Sequence, residues 1–238
     1  MINGGVSKSD IIKFMNYVLA SQGFTTDDIA NAVAKLANKS LNKLNVAVVN
    51  EAYVGINSGI HEGWLINELS LITKYAKGSI SFVNLRAYNI EEIEDRLKFA
   101  DVIYIVGGAQ LVLPKLFRQT GFDKLLVKLA ENKVIMGTSA GANVLGKQIE
   151  NARYWEDQYG AAEAYLSEPY LGFVNFNILP HYGREDHPRR SEAILTPLLK
   201  ENSFKVYGVT DTQAVIYEDG KISFVGGEPV QFGLALDK

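Results

Sequence analysis

Lys133–Gly146, KVIMGTSAGANVLG, decides how the rest of the chain is read. An apolar run enters Gly137-Thr138-Ser139-Ala140-Gly141 and continues into the small residues Ala142-Asn143-Val144-Leu145. This is G-x-S-x-G between a strand and a helix, the context in which a serine sits on a sharp turn with its hydroxyl exposed. Such a turn strains its central residue, and its flanking glycines are needed where a side chain would strike the adjoining strand or helix. Ser139 would project from the carboxyl edge of a sheet. The N–H of Ala140, at the helix start, would face a developing oxyanion. The pentapeptide alone also serves as a plain connection, so the flanking elements carry the reading.

Two further segments lead to the same edge. In Phe176–His181, FNILPH, an apolar strand ends in proline and a histidine, and a serine hydroxyl needs such a base to become a nucleophile. The other two histidines, His61 and His187, fall at a helix start and in a polar loop and read as bystanders. In Ala100–Leu116, ADVIYIVGGAQLVLPKL, a buried strand ends in Gly107-Gly108 and Ala109-Gln110, placing backbone N–H groups where a second oxyanion donor is needed.

Around these segments short apolar runs alternate with helical patterns, as in a parallel sheet wrapped by helices. The expected strands are Asn45–Asn50, Ile80–Leu85, Val102–Val106 and Lys133–Gly137, then Val206–Thr210, Ala214–Tyr217 and Ile222–Val225. Glu218-Asp219-Gly220 has hairpin chemistry between the last two. Helices are expected at Asp10–Ala20, Thr26–Asn38, His61–Tyr75, Ile90–Phe99, Leu111–Gln119 and Asp123–Asn132. The expected fold is α/β, a doubly wound, mostly parallel sheet with helices on both faces and a C-terminal antiparallel hairpin extension. Only Met1-Ile2-Asn3 precedes Gly4-Gly5, so the first strand is expected to be a stub or to lie upstream.

Composition narrows the function. At 238 residues with no repeat or linker, one domain over residues 1–238 is expected, large enough to need no metal or disulfide staple. Lys+Arg 24 against Asp+Glu 27 gives a net charge of −3, which disfavours a nucleic-acid binder. The absence of cysteine excludes a disulfide framework, a thiolate zinc site and a cysteine nucleophile. No signal pattern and no apolar run near ~18 residues is visible, so a soluble, cytoplasmic protein without a membrane partner is expected.

Taken together, Val106-Gly107-Gly108-Ala109-Gln110, Gly137-Thr138-Ser139-Ala140-Gly141-Ala142 and Pro180-His181-Tyr182 resemble the peptidase E family of serine peptidases, which contains dipeptidase E and cyanophycinase. That family resembles class I glutamine amidotransferases in fold, and the likeness covers roughly Ala100 to the C-terminus. Amidotransferase relatives attack with a cysteine, which this chain lacks, leaving the serine hydrolase. The resemblance implies Ser139 as nucleophile, His181 as base, and oxyanion N–H groups from Ala140 and Ala109, where alanine replaces the family's third glycine.

For the triad acid the resemblance offers two places. The dipeptidase branch points to Asp157, which lies 24 positions before His181 and is favoured; the cyanophycinase-like branch points to Asp211. Glu156 and Glu150 stand behind them. Arg184, Arg189 and Arg190 suit capture of a carboxylate, and dipeptidase E relatives imply an arginine there for an acidic side chain. The cluster Tyr154, Trp155, Tyr159, Tyr165 and Tyr170 is a candidate cleft wall. The expected activity is hydrolysis of short peptides, an acidic N-terminal residue being the candidate preference. Neither metal nor organic cofactor is required, and the state is monomer or homodimer. The alternatives are a catalytically impaired relative that binds a small ligand or partner, and an esterase or amidase using the same site.

Overall fold

The computed structural model describes residues 15–54, 63–149, 168–200 and 202–233. In chain order the elements are β1 (Asn16–Ala20), α1 (Asp27–Leu36), β2 (Val46–Val49), α2 (Glu51–Val54), α3 (Gly63–Tyr75), β3 (Ile80–Phe82), α4 (Ile90–Leu97) and β4 (Val102–Ile105). There follow α5 (Val112–Thr120), α6 (Phe122–Leu129), β5 (Val134–Thr138), α7 (Ala140–Leu145), β6 (Asn177–Pro180) and α8 (Glu192–Leu199). The chain then runs through β7 (Val206–Val209), β8 (Ala214–Glu218), β9 (Lys221–Val225) and β10 (Val230–Phe232).

A seven-stranded sheet has the order β3-β2-β4-β5-β1-β8-β9. Its first five strands run parallel, while β8 and β9 pair antiparallel at one edge. The β8–β9 turn has Asp219 at φ 48° and Gly220 at φ 83°, the two positive values a tight primed hairpin turn requires. A smaller sheet, β10-β7-β6, holds the strand that leads to His181.

Successive side chains of the large sheet face opposite layers. Tyr17, Leu19, Val49, Ile103, Ile105 and Ile135 pack into one apolar cluster, and Val18, Val48, Val102, Tyr104 and Met136 into the other. Both faces are therefore dry, which is why these strands read as continuous apolar runs. On α1, Thr26 caps the first turn by accepting from the Ile29 N–H at 3.3 Å.

The expected helix at Asp10–Ala20 is corrected. Its described portion is β1, a central strand between β5 and β8. The reason is burial on both faces: Tyr17, Val18, Leu19 and Ala20 are all buried, and a short run of that kind carries no period that separates strand from helix. Among the described residues the first strand of the sheet is β1, a full strand of five residues.

Candidate active site

Each parallel strand near the centre of the fold delivers one functional group at its carboxyl end. β5 leads into Ser139, which sits at φ 47°, ψ −114° immediately before α7. The glycines around it are dictated by contact. A Cβ on Gly137 would lie 2.3 Å from the Gly141 carbonyl oxygen, one on Gly141 2.1 Å from the Ile105 oxygen, and one on Gly107 2.9 Å from the Ser139 Cβ. The strained turn is pinned by the Ser139 N–H, which donates to the Ala20 carbonyl at 3.0 Å. The Ser139 carbonyl accepts from the N–H groups of Ala142 and Asn143.

β6 and β7 run parallel with Pro180 beside Val209, so the residues that follow emerge at a common edge. His181 Nε2 lies 3.1 Å from Ser139 Oγ, and His181 Nδ1 lies 2.7 Å from Asp211 Oδ1. The geometry is that of a serine, a histidine and an orienting carboxylate in line. Asp157, favoured for the third place, lies outside the described residues, as do Glu150 and Glu156; the carboxylate on the imidazole is that of Asp211. His61 and the aromatic residues Tyr154, Trp155, Tyr159 and Tyr165 also lie outside them.

A fourth group comes from the end of β1. Ser21, fully buried, donates to Asp211 Oδ1 at 2.5 Å and accepts from the His181 N–H at 2.8 Å. His181 holds φ 58°, so this bond secures a backbone conformation that a non-glycine residue adopts at some cost. Thr25 donates to the Asp211 carbonyl at 2.6 Å, fixing the same turn from the other side.

A model of peptidase family S51 matches residues 21–225, a span that opens at Ser21 and takes in Ser139, His181 and Asp211. The chain belongs to peptidase family S51. Membership places it among the serine-type peptidases. An uncharacterized peptidase of Listeria monocytogenes is 26% identical over 154 residues, 64% of this chain and 67% of that protein. Peptidase E of Streptomyces coelicolor is 27% identical over 169 residues, 66% of this chain and 65% of that protein. The chain thus spans about two thirds of the length of these curated relatives. The crystal structure of a candidate peptidase E protein from Listeria monocytogenes matches with a TM-score of 0.71 at 20% identity, covering 88% of this chain and 97% of that one, a likeness of fold.

Electrostatics in this S51 site set the protonation states. Burial pushes His181 below the usual histidine value, and the charges of Arg190 and His187 push the same way, against the raising effect of Asp211. The imidazole is therefore neutral at neutral pH, as a base must be. Burial alone would raise Asp211, yet the bonds from His181 and Ser21 and the Arg184 charge hold it down to about 2. It stays ionised beside the imidazole. His187, read as a bystander, packs its ring 5.1 Å from that of His181, with Nδ1 3.1 Å from Asp186 Oδ1.

In this S51 chain the Ala109 N–H, expected as the second oxyanion donor, is engaged within the protein. The Ala109 N–H donates to the Ala52 carbonyl at 3.0 Å, because the turn folds back onto the start of α2. Gly108, at φ 136°, makes that fold possible, since a Cβ there would lie 2.6 Å from the Ala52 oxygen. The N–H groups of Gly107, Gly108 and Ala140 donate to no protein acceptor among the described residues. Ala140 stands as expected at the first position of α7, where an N–H has no partner within its helix.

The three arginines separate. Arg184 Nη1 donates to Asp211 Oδ2 at 3.0 Å, and its Nε and Nη2 donate to Asp186 at 2.8 and 2.5 Å. Arg190 is buried, with Nη1 donating to the Pro180 carbonyl at 2.7 Å, directly before His181. Arg189 is exposed on the 3₁₀ turn Pro188–Arg190. Two of the three thus brace the histidine and its acid. Among the described residues, no helix is long and apolar enough to cross a membrane and no cluster of ligating side chains could hold a metal ion.

Proposed function

We propose that this chain hydrolyses short peptides through a Ser139–His181–Asp211 triad and an acyl-enzyme intermediate. Ser139 Oγ attacks the scissile carbonyl carbon and its proton passes to His181 Nε2. The Nδ1–H stays on the imidazole and donates to Asp211, whose charge stabilises the imidazolium. The N–H of Ala140, with an N–H from Gly107 or Gly108, receives the negative charge that develops on the carbonyl oxygen. His181 then gives its proton to the leaving amine, the acyl group remains on Ser139, and water enters by the same route in reverse.

The observation that carries this reading is the pair of distances on one imidazole, 3.1 Å to a strained serine and 2.7 Å to an ionised carboxylate. A preference for an acidic N-terminal residue finds little support in Arg184 and Arg190, which donate to Asp186, Asp211 and the Pro180 carbonyl. Short peptides without that preference are therefore the substrate class proposed. The test is a fluorophosphonate probe, with the adduct located by mass spectrometry. Labelling at Ser139, lost in Ser139→Ala and accompanied by turnover of a dipeptide panel, supports the proposal. Labelling that persists in Ser139→Ala removes this serine from the role. Turnover of acyl esters with no cleavage of any dipeptide moves the chain to the esterase reading.

A further inference from the structure

One carboxyl group in the core takes no part in the triad. α3 buries Leu65, Glu68, Ile72 and Tyr75 along a single face, so Glu68 occupies a position where its neighbours are apolar or aromatic. An apolar residue there would avoid the cost of withdrawing a carboxyl group from water. Glu68 Oε1 accepts from the Thr138 hydroxyl at 2.5 Å and from the Tyr104 hydroxyl at 2.8 Å. All three residues are buried, and no cation pairs with Glu68 among the described residues. Burial raises its pKa, against the lowering effect of the Thr138 and Tyr104 hydroxyls.

Its two partners lead to the two halves of the site. Thr138 is the residue before Ser139, so its side chain fixes the entry to the turn at φ 47°, ψ −114°. Tyr104 presses its hydroxyl against the loop after β1: a Cβ on Gly23, itself at φ 74°, would lie 1.8 Å from that oxygen. Two residues earlier the same loop carries Ser21, which holds His181 and Asp211. A strained backbone conformation persists only where its surroundings over-determine it. The helix side of the Ser139 turn is fixed by α7; on the strand side the Ser139 N–H bond to Ala20 holds the backbone and the Thr138 side chain adds a second anchor.

We propose that Glu68 is a positioning residue for the nucleophile, holding the Ser139 turn through Thr138 and the Ser21 loop through Tyr104. The inference rests on the peptidase reading and deepens it. Glu68→Leu removes the acceptor at similar size, Glu68→Gln keeps a carbonyl oxygen in its place, and Thr138→Val removes the donor isosterically. Glu68→Leu and Thr138→Val should each lower kcat and the probe-labelling rate by about tenfold or more, with KM within about twofold, because small displacements of a reacting group are expensive. The double variant should be no worse than Glu68→Leu alone, and Glu68→Gln should stay within about threefold of the parent. Amide hydrogen exchange at Ser139, which reports its bond to Ala20 without any turnover, should accelerate in Glu68→Leu and not in Glu68→Gln. If Thr138→Val keeps full kcat, if the two losses multiply, or if Ser139 exchange is unchanged in Glu68→Leu, the proposal is overturned. A parent protein that takes no label at Ser139 fails the peptidase reading instead, and the exchange measurement still decides whether Glu68 holds the turn.

Discussion

Ser139 and His181 both hold a positive φ, at 47° and 58°, and stand 3.1 Å apart, yet the chain builds the two turns in opposite ways. The Ser139 turn depends on missing side chains. Gly107, Gly137 and Gly141 each leave room that a single Cβ would close. The His181 turn depends on side chains that are present: Ser21 takes its N–H, Asp211 takes Nδ1, and Arg190 holds the Pro180 carbonyl just before it. The first leaves a contiguous signature in sequence. The second draws its supports from residues as far as 160 positions away.

The contrast predicts different failures. The largest effect belongs to Gly141→Ala, whose Cβ would lie 2.1 Å from the Ile105 carbonyl oxygen. Backbone against backbone cannot yield, so overpacking should cost about 3 kcal/mol or more and lower Tm by roughly 6 °C or more, with labelling lost as well. A thermal melt indistinguishable from that of the parent would show that the turn has slack its glycines do not reveal.

Ser21→Ala should act on the other turn. It leaves the His181 N–H without its acceptor, costing about 1–3 kcal/mol of stability, and frees Asp211 from one of its donors. The expected kinetic signature is a fall of about tenfold in kcat with KM nearly unchanged, because the histidine is displaced and no known substrate contact is lost. A raised KM at constant kcat would place Ser21 in substrate binding.

A smaller effect concerns pH. His181 must be neutral to accept the serine proton, so kcat/KM rises as pH climbs through its pKa. Burial sets that pKa below the usual value, and the acid limb should have its midpoint under about 6.5. A midpoint above that value would mean that Asp211 outweighs burial. The smallest change is expected for Arg184→Gln. Its ion pairs with Asp186 and Asp211 are partly exposed, and such pairs are worth about 1 kcal/mol or less. Cleavage of dipeptides with acidic and neutral N-terminal residues should therefore fall together, by about fivefold or less. A selective loss on acidic substrates would return Arg184 to substrate recognition.

What sequence could disclose follows the same division. The glycine-framed serine, the histidine after Pro180, and the turn at Asp219-Gly220 were legible because their physics is local. β1 was not, since Tyr17 to Ala20 are buried on both sides and carry no period. Ser21, a lone serine after a stretch with a helical reading, gave no signal without that strand. Ala109 reads as an oxyanion donor because its acceptor, the Ala52 carbonyl, lies on α2, which only the pairing of β2 beside β4 brings near. Spacing from His181 favours Asp157, while the contact of Asp211 with the imidazole comes from the parallel pairing of β6 and β7 and leaves no spacing signal.

The central claim is that Asp211 orients His181, and paired variants test it most directly. Both are measured for kcat and for the rate of fluorophosphonate labelling at Ser139. Asp211→Asn leaves the shape of the site intact but no longer holds the imidazole in the reactive tautomer, so both rates should fall by about a thousandfold or more. Asp157→Asn should leave both within about twofold of the parent. A thousandfold loss in Asp157→Asn with Asp211→Asn near the parent rate would contradict the account.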